Sequence, residues 1–350
     1  MNTDLLKHML HNMLLARAFE ERAAEEYTQG NIAGFLHLYP GEEAVAVGVL
    51  HAAEPADYVV TTYREHVHAL VRGMPANAVM AELFGKKAGC SGGMGGSMHL
   101  FDRERRFMGG YAIVGETFPI ATGIAYAIAM RDLPETVICF FGDGAVNQGT
   151  FHESLNMATL WKLPVLFVCE NNHYQIGTEI HRHSAVAEVY KRASGYRIPA
   201  KKIDGMDVLA VHRATQDALD QIRAGTGPQL LEFETYRFRG HSMADPGSYR
   251  PKVEVQAFEN EDPVKVAIAE TVPAYPSQAQ IAAASADHIG KFAAHLDEAG
   301  HLSPEQLEIM KREVAAVVEA AVQFAKESPE PTLEDAIAAL NCNRREEMLV

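Results

Sequence analysis

Apolar side chains recur at helical spacing from the start of the chain. Leu5, Leu6, Met9, Met13, Leu14 and Phe19 share one face of residues 4–28, which predicts an amphipathic helix ending near Gly30. Residues 42–53 repeat that pattern, residues 57–62 form a short β-branched run, and residues 76–85 read as a further helix stopped at Gly85. The periodicity then breaks. Residues 89–96 hold glycine too densely for a helix or a regular strand, and so flexible a loop in a compact domain is expected to touch something. Gly115, Ala121, Gly123, Ala125, Ala127 and Ala129 punctuate residues 115–130 and predict a buried helix packed tightly against a sheet.

The centre of the pattern lies in residues 136–169. Residues 136–141 and 164–169 are continuous apolar runs of strand length, separated by the turn Gly142-Asp143-Gly144 and a helix-like stretch at 149–160. Strands apolar on both faces belong to a parallel sheet covered by helices, so the fold class is α/β. Both runs end in polar residues, Asp143 after the first and Glu170, Asn171 and Asn172 after the second. Ligands of open α/β sheets sit beyond the carboxyl ends of the strands, so the two ends share one crevice. Farther on, residues 207–223 read as helix, 229–236 as strand and 237–250 as a polar loop. The division expected is an α/β domain over residues 1–257 and a helical C-terminal region over 258–350, with a linker or insertion at 263–287.

Composition narrows the class of partner. Among 350 residues, 46 acidic side chains face 31 basic ones, a formal charge of −15, so neither nucleic acid nor an anionic membrane is an expected partner. The longest apolar stretch, residues 118–130, is too short to cross a bilayer. Residues 1–24 lack the basic start and small-residue cleavage site of a signal peptide, and a cytoplasmic protein is expected. Cys90, Cys139, Cys169 and Cys342 form no C-x-x-C pair and read as reduced thiols.

Candidate chemistry gathers at the crevice. Asp143 offers a carboxylate and Asn172 an amide oxygen, and a backbone carbonyl just beyond Asn172 offers a third oxygen, a set suited to Mg2+ shared with a diphosphate. Gly142 and Gly144 permit close backbone approach, and the helix opening near Gly149 is expected to present N–H groups to phosphate. Gly-Asp-Gly alone is an ordinary tight turn. Joined to paired asparagines after the next strand, it becomes specific.

The string Gly142-Asp-Gly-Ala-Val-Asn-Gln-Gly149 through Glu170-Asn-Asn172 resembles the thiamin-diphosphate signature. Asn156-Met-Ala-Thr-Leu-Trp-Lys-Leu-Pro164 is similar to the α subunits of 2-oxoacid dehydrogenases, and the likeness spans about residues 5–255. The resemblance implies the thiamin-diphosphate-binding fold, with thiamin diphosphate and Mg2+ as cofactors. It assigns the metal to Asp143, Asn172 and the backbone carbonyl of Tyr174. It places Tyr63, Arg64, Gly142, Gly144, Ala145, Arg237 and His241 against the cofactor, Ala112 and Val114 at the aminopyrimidine, and His37 facing substrate. The residues support His241 independently, because it follows a strand end and imidazole exchanges protons near neutral pH. The bland readings are a capping or core role for His37, structural roles for His66, His68 and His99, and solvated charges for Arg64 and Arg237. Glu116 and Thr117 stand where the family has a small residue and glutamine, and Ala244 stands where some relatives carry a second serine, while Ser242 remains.

The expected function is that of the α subunit of a pyruvate dehydrogenase. Such an enzyme decarboxylates its 2-oxoacid substrate oxidatively and passes the acyl group to a lipoylated acyltransferase. Only one α/β domain is evident, so the activating glutamate is expected from a β subunit in an assembly of two α and two β chains. Pyruvate comes first because Gly240-His-Ser-Met-Ala-Asp-Pro-Gly247 resembles the pyruvate-type loop; acetoin and branched-chain 2-oxoacid dehydrogenases are the alternatives. A non-catalytic subunit holding Mg-diphosphate ligands is the reading from another class. A self-contained thiamin enzyme would be longer, and a phosphohydrolase would cluster several carboxylates at strand ends.

Overall fold

A computed structural model describes residues 3–259, 288–298 and 302–341. The chain opens with α1 (Thr3–Thr28) and α2 (Glu43–Ala52), followed by β1 (Tyr58–Thr62), α3 (His66–Val71), α4 (Ala76–Leu83) and β2 (Phe107–Tyr111). Next come α5 (Thr117–Met130), β3 (Val137–Gly142), α6 (Gly149–Leu160), β4 (Val165–Asn171), the short strands β5 (Tyr174–Gln175) and β6 (Thr178–Glu179), α7 (Ile180–His183) and α8 (Val189–Arg192). The α/β pattern closes with β7 (Ala200–Asp204), α9 (Val208–Arg223) and β8 (Gln229–Glu234). The helices α10 (Lys252–Glu259), α11 (His288–Glu298), α12 (Pro304–Glu327) and α13 (Leu333–Asn341) follow. The expectation of a linker at 263–287 falls outside the described residues.

Six strands form one sheet in the order β2-β1-β3-β4-β8-β7, every neighbour pair parallel. β3 and β4 run through its middle in continuous register from Val137 opposite Val165 to Gly142 opposite Glu170. Their apolar runs are buried on both faces, as strands roofed by helices must be. From β1 the chain steps outward to β2 on one side and returns to β3 on the other. The order therefore reverses at β1 and β3, and a crevice opens beyond their carboxyl ends.

Helix packing fixes the layers. α2 lies against α9, and a Cβ on Gly48 would stand 2.6 Å from Val211 Cγ1 and 2.9 Å from the Val208 carbonyl oxygen, so only glycine allows this approach. Asp207 caps α9 by accepting from the amides of Leu209 at 2.8 Å and Ala210 at 3.0 Å. α12 opens with a capping box between Ser303 and Gln306 and buries Val314, Val318, Ala321, Val322 and Ala325 in the main core beside α1 and α4. α12 thus completes the core of the α/β layers.

One expectation changes and another is met from within the chain. The helix α5 is not buried all round. Phe118, Ala121, Ala125 and Ile128 face the sheet, whereas Ile120, Gly123, Tyr126, Ala127, Ala129 and Met130 are exposed, because one face of an apolar helix suffices to cover the strands. The glycine-dense loop does touch something, and it is the chain's own Glu82. That buried carboxylate accepts from the amides of Ser91, Gly93, Gly95 and Gly96 at 2.7–3.0 Å. Among the described residues no helix is long and apolar enough to cross a membrane. Cys90, Cys139 and Cys169 are free thiols, and burial pushes Cys90 and Cys139 up to about 12.

Candidate active site

A cavity of about 290 Å3 lies beyond the carboxyl ends of the central strands, near the ~300 Å3 lower bound typical of ligand pockets. The segment after β1 brings Tyr63 and Arg64, and that after β2 brings Ala112 and Val114. β3 ends at Gly142 and runs into a 3-10 turn holding Asp143, Gly144 and Ala145. Asn172 and Tyr174 follow β4, and Arg237 and His241 follow β8. With His37, every site residue expected from sequence lines this one cavity. The helix opening near Gly149 does not. The tight turn at residues 143–147 separates it from the strand end, so the nearest backbone belongs to Asp143, Gly144 and Ala145.

The oxygen donors fit a hard cation. Asp143 is buried, and its Oδ2 has no hydrogen-bond partner among the described residues. Asn172 donates through Nδ2 to Glu42 at 3.0 Å, which leaves its Oδ1 likewise unpartnered. His173 between them adopts φ +70°, a left-handed turn that swings the chain back so that Tyr174 also lines the cavity. Buried oxygens without partners are costly, and a cation coordinated by carboxylate, amide and carbonyl oxygens would satisfy them. Among the described residues no cluster of three His, Cys, Asp or Glu side chains stands ready for a metal, because two of these three donors are neutral amide-type oxygens.

The same cavity carries fixed positive charge. Arg64 donates to the carbonyl oxygens of Leu38 and, at 2.9 Å, of His241. Arg237 donates to the carbonyls of Tyr174 at 3.3 Å and Ile176 at 3.0 Å and to the Tyr249 hydroxyl at 2.9 Å. These bonds pin both guanidinium groups, so the charges are preorganised. Burial, then Arg64, lowers Arg237. The rings of His37 and His241 meet edge to face at 5.1 Å, and Tyr63 packs 4.4 Å from the His37 ring. Burial first and Arg64 next hold His37 down to about 2 and His241 to about 3. An anion between the arginines would relieve this field. The donors, the cations and the space fit a metal-bound diphosphate.

Two acids in the cavity wall had no role in the sequence reading, Glu42 standing there only within a helical pattern and Glu170 only as a polar strand end. Glu42 is fully buried, 3.8 Å from Arg64 Nε, and burial raises it to about 7 against the opposing pull of Arg64. Glu170 accepts from the Tyr39 hydroxyl and lies 3.1 Å from His68 Nε2, bracing the wall. The only signal for Glu42 was a charged residue beginning an otherwise apolar helix. The bland readings hold for the other histidines: His66 lies between Glu20 at 3.0 Å and Ser97 Oγ at 2.8 Å, and His99 Nδ1 bonds the Gly110 carbonyl at 3.0 Å.

A parallel α/β sheet whose switch point gathers unpartnered oxygens and two buried arginines in one cavity places the chain among α/β proteins that bind a ligand beyond their strand ends. More narrowly, the chain belongs to the dehydrogenase E1 component family, whose profile matches residues 11–275 and 273–334. Membership implies dependence on thiamin diphosphate. The chain is 43% identical over 343 residues to the pyruvate dehydrogenase E1 component subunit alpha of Porphyra purpurea, covering 95% of this chain and 92% of that one. It is 43% identical over 323 residues to the protein of the same name from Rhizobium meliloti (strain 1021), covering 92% and 86%. The counterpart from Zymomonas mobilis is 50% identical over 261 residues, 74% of each chain.

Proposed function

We propose that this chain is the α subunit of a pyruvate dehydrogenase E1 component, acting with a β subunit to decarboxylate pyruvate oxidatively and acetylate a lipoyl group on an acyltransferase. The observation that carries the reading is the pair of unpartnered buried oxygens, Asp143 Oδ2 and Asn172 Oδ1, lining the same cavity as Arg64 and Arg237. Asp143, Asn172 and the carbonyl of Tyr174 would hold Mg2+, and the two arginines would balance the remaining diphosphate charge. Bound thiamin diphosphate supplies the electron sink for loss of carbon dioxide. His241 and His37 are neutral imidazoles at the cavity, and a diphosphate balancing the arginines would raise their affinity for a proton toward the range in which imidazole exchanges one. Ala112 and Val114 are the backbone positions proposed for the aminopyrimidine.

The cavity is open on one side, and its rim exposes Ile113, Val114 and Ile176. A β chain seated there would cover these side chains and exclude water, in an assembly of two α and two β chains. The three free thiols fit a reducing, cytoplasmic setting. Native mass spectrometry of the chain purified from its own host, with lipoyl acylation assayed on pyruvate, acetoin and branched-chain 2-oxoacids, tests the reading. A two-plus-two assembly with thiamin diphosphate and a preference for pyruvate is expected. A partnerless oligomer carrying cofactor would refute the subunit role, and preference for another acid would refute the substrate. In the same assembly Asp143→Ala should abolish metal-dependent cofactor binding.

A further inference from the structure

His183 stands beside Asp143 but is not among the residues that line the cavity. It closes the single turn of α7, and its Nε2 lies 3.3 Å from Asp143 Oδ2. Both atoms are buried, and among the described residues each is without an aligned hydrogen bond. The ring is oriented from behind. Arg192 Nη1 donates to Asn147 Oδ1 at 2.9 Å, which turns Asn147 Nδ2 toward the histidine. That nitrogen stands 3.2 Å from His183 Nδ1 and 3.1 Å from the His183 carbonyl oxygen, and Ser184 Oγ lies 3.0 Å from the same Nδ1. An amide nitrogen only donates, so Nδ1 accepts and the ring proton resides on Nε2.

We propose that His183 is a positioning residue for the metal-binding carboxylate, its Nε2–H facing one lone pair of Asp143 Oδ2 and so fixing the direction in which the carboxylate is presented to the cation. The inference rests on the metal role proposed above for Asp143. A nitrogen bearing a proton has no lone pair for a cation, so His183 acts as a donor to a ligand. The chain from Arg192 through Asn147 to His183 ties the turn after β3 to α7 and α8, and so fixes where the carboxylate points. Outer hydrogen bonds of this kind orient metal-binding groups.

The test uses the chain assembled with its β-type partner and thiamin diphosphate, with Mn2+ as the probe metal. His183→Phe keeps a ring and removes the donor, whereas His183→Gln restores an N–H. Mn2+ affinity, read by electron paramagnetic resonance, is expected to fall roughly tenfold in His183→Phe and to recover in His183→Gln. Unchanged affinity in His183→Phe overturns the proposal, and so does equal weakening in both variants. An imidazole nitrogen bonded directly to Mn2+ in the electron-spin-echo spectrum also overturns it, because the ring would then be a ligand. Asp143→Ala separates the two layers of argument. If it binds Mn2+ like wild type, the metal assignment itself fails; if it loses Mn2+ while His183→Phe does not, only the positioning role falls.

Discussion

The two histidines of the cavity stay neutral far below their ordinary 6.5, His37 to about 2 and His241 to about 3. The unfolded chain takes up a proton on each as the pH drops through 6.5, while the folded chain does not. Their contribution is therefore fully present above pH 6.5 and is lost as the pH falls toward 3. The ligand-free protein is expected to melt at progressively lower temperature across that interval, and a His37→Asn/His241→Asn double variant should show a shallower slope by scanning fluorimetry. Equal slopes would mean that these rings do not govern the acid limb. At this scale the positions of Asp143 and Asn172 in one cavity were legible, because a motif joining two strand ends constrains chemistry at fixed places, and that of His241 because it follows a strand end of its own. Glu42 was not, since an acid at the start of an apolar helix reads like a solvated cap until tertiary packing buries it against Arg64.

The helices and strands that were expected fall within a few residues of their bounds, because period and cap signals are local, whereas the edge strands β2 and β7 and the short helix α3 were not foreseen. The strand order was beyond a local pattern, and so was the exposed face of α5, since hydrophobic periodicity marks what will be covered but not by what. Close approach at Gly48 was equally hidden, because a glycine inside a helical pattern looks like a weakness. It is in fact where α9 crosses α2. Gly48→Ala should destabilise the fold by about 1–3 kcal/mol through forced repacking, measured by urea denaturation; wild-type stability would show that the crossing has slack. The carboxylate of Glu82 illustrates the converse, since the glycine-dense loop that was expected to touch something encloses a side chain of the chain itself.

For the molecule as a whole, the outer face of α5 joins that of α6 into an apolar surface with Ile120, Tyr126, Met130, Met157, Leu160 and Trp161 exposed and the Tyr126 and Trp161 rings 5.3 Å apart. Together with the rim of the cavity, it is surface that an assembly would cover. Tyr126→Lys is expected to leave the melting temperature of the isolated chain unchanged and to weaken the two-plus-two assembly in sedimentation; an assembly indifferent to it would locate the contact elsewhere. The docking of α12 on α1 has its own consequence. Lys326 Nζ meets Glu26 Oε1 at 3.0 Å across 300 positions, and the apolar side of α12 completes the core beside them. On the ribosome, at about 5–20 residues per second, α1 emerges roughly 15–60 s before the helix that covers it. Throughout that interval the nascent chain carries an open seam, so its burden on chaperones is set by the order of synthesis as much as by its final stability.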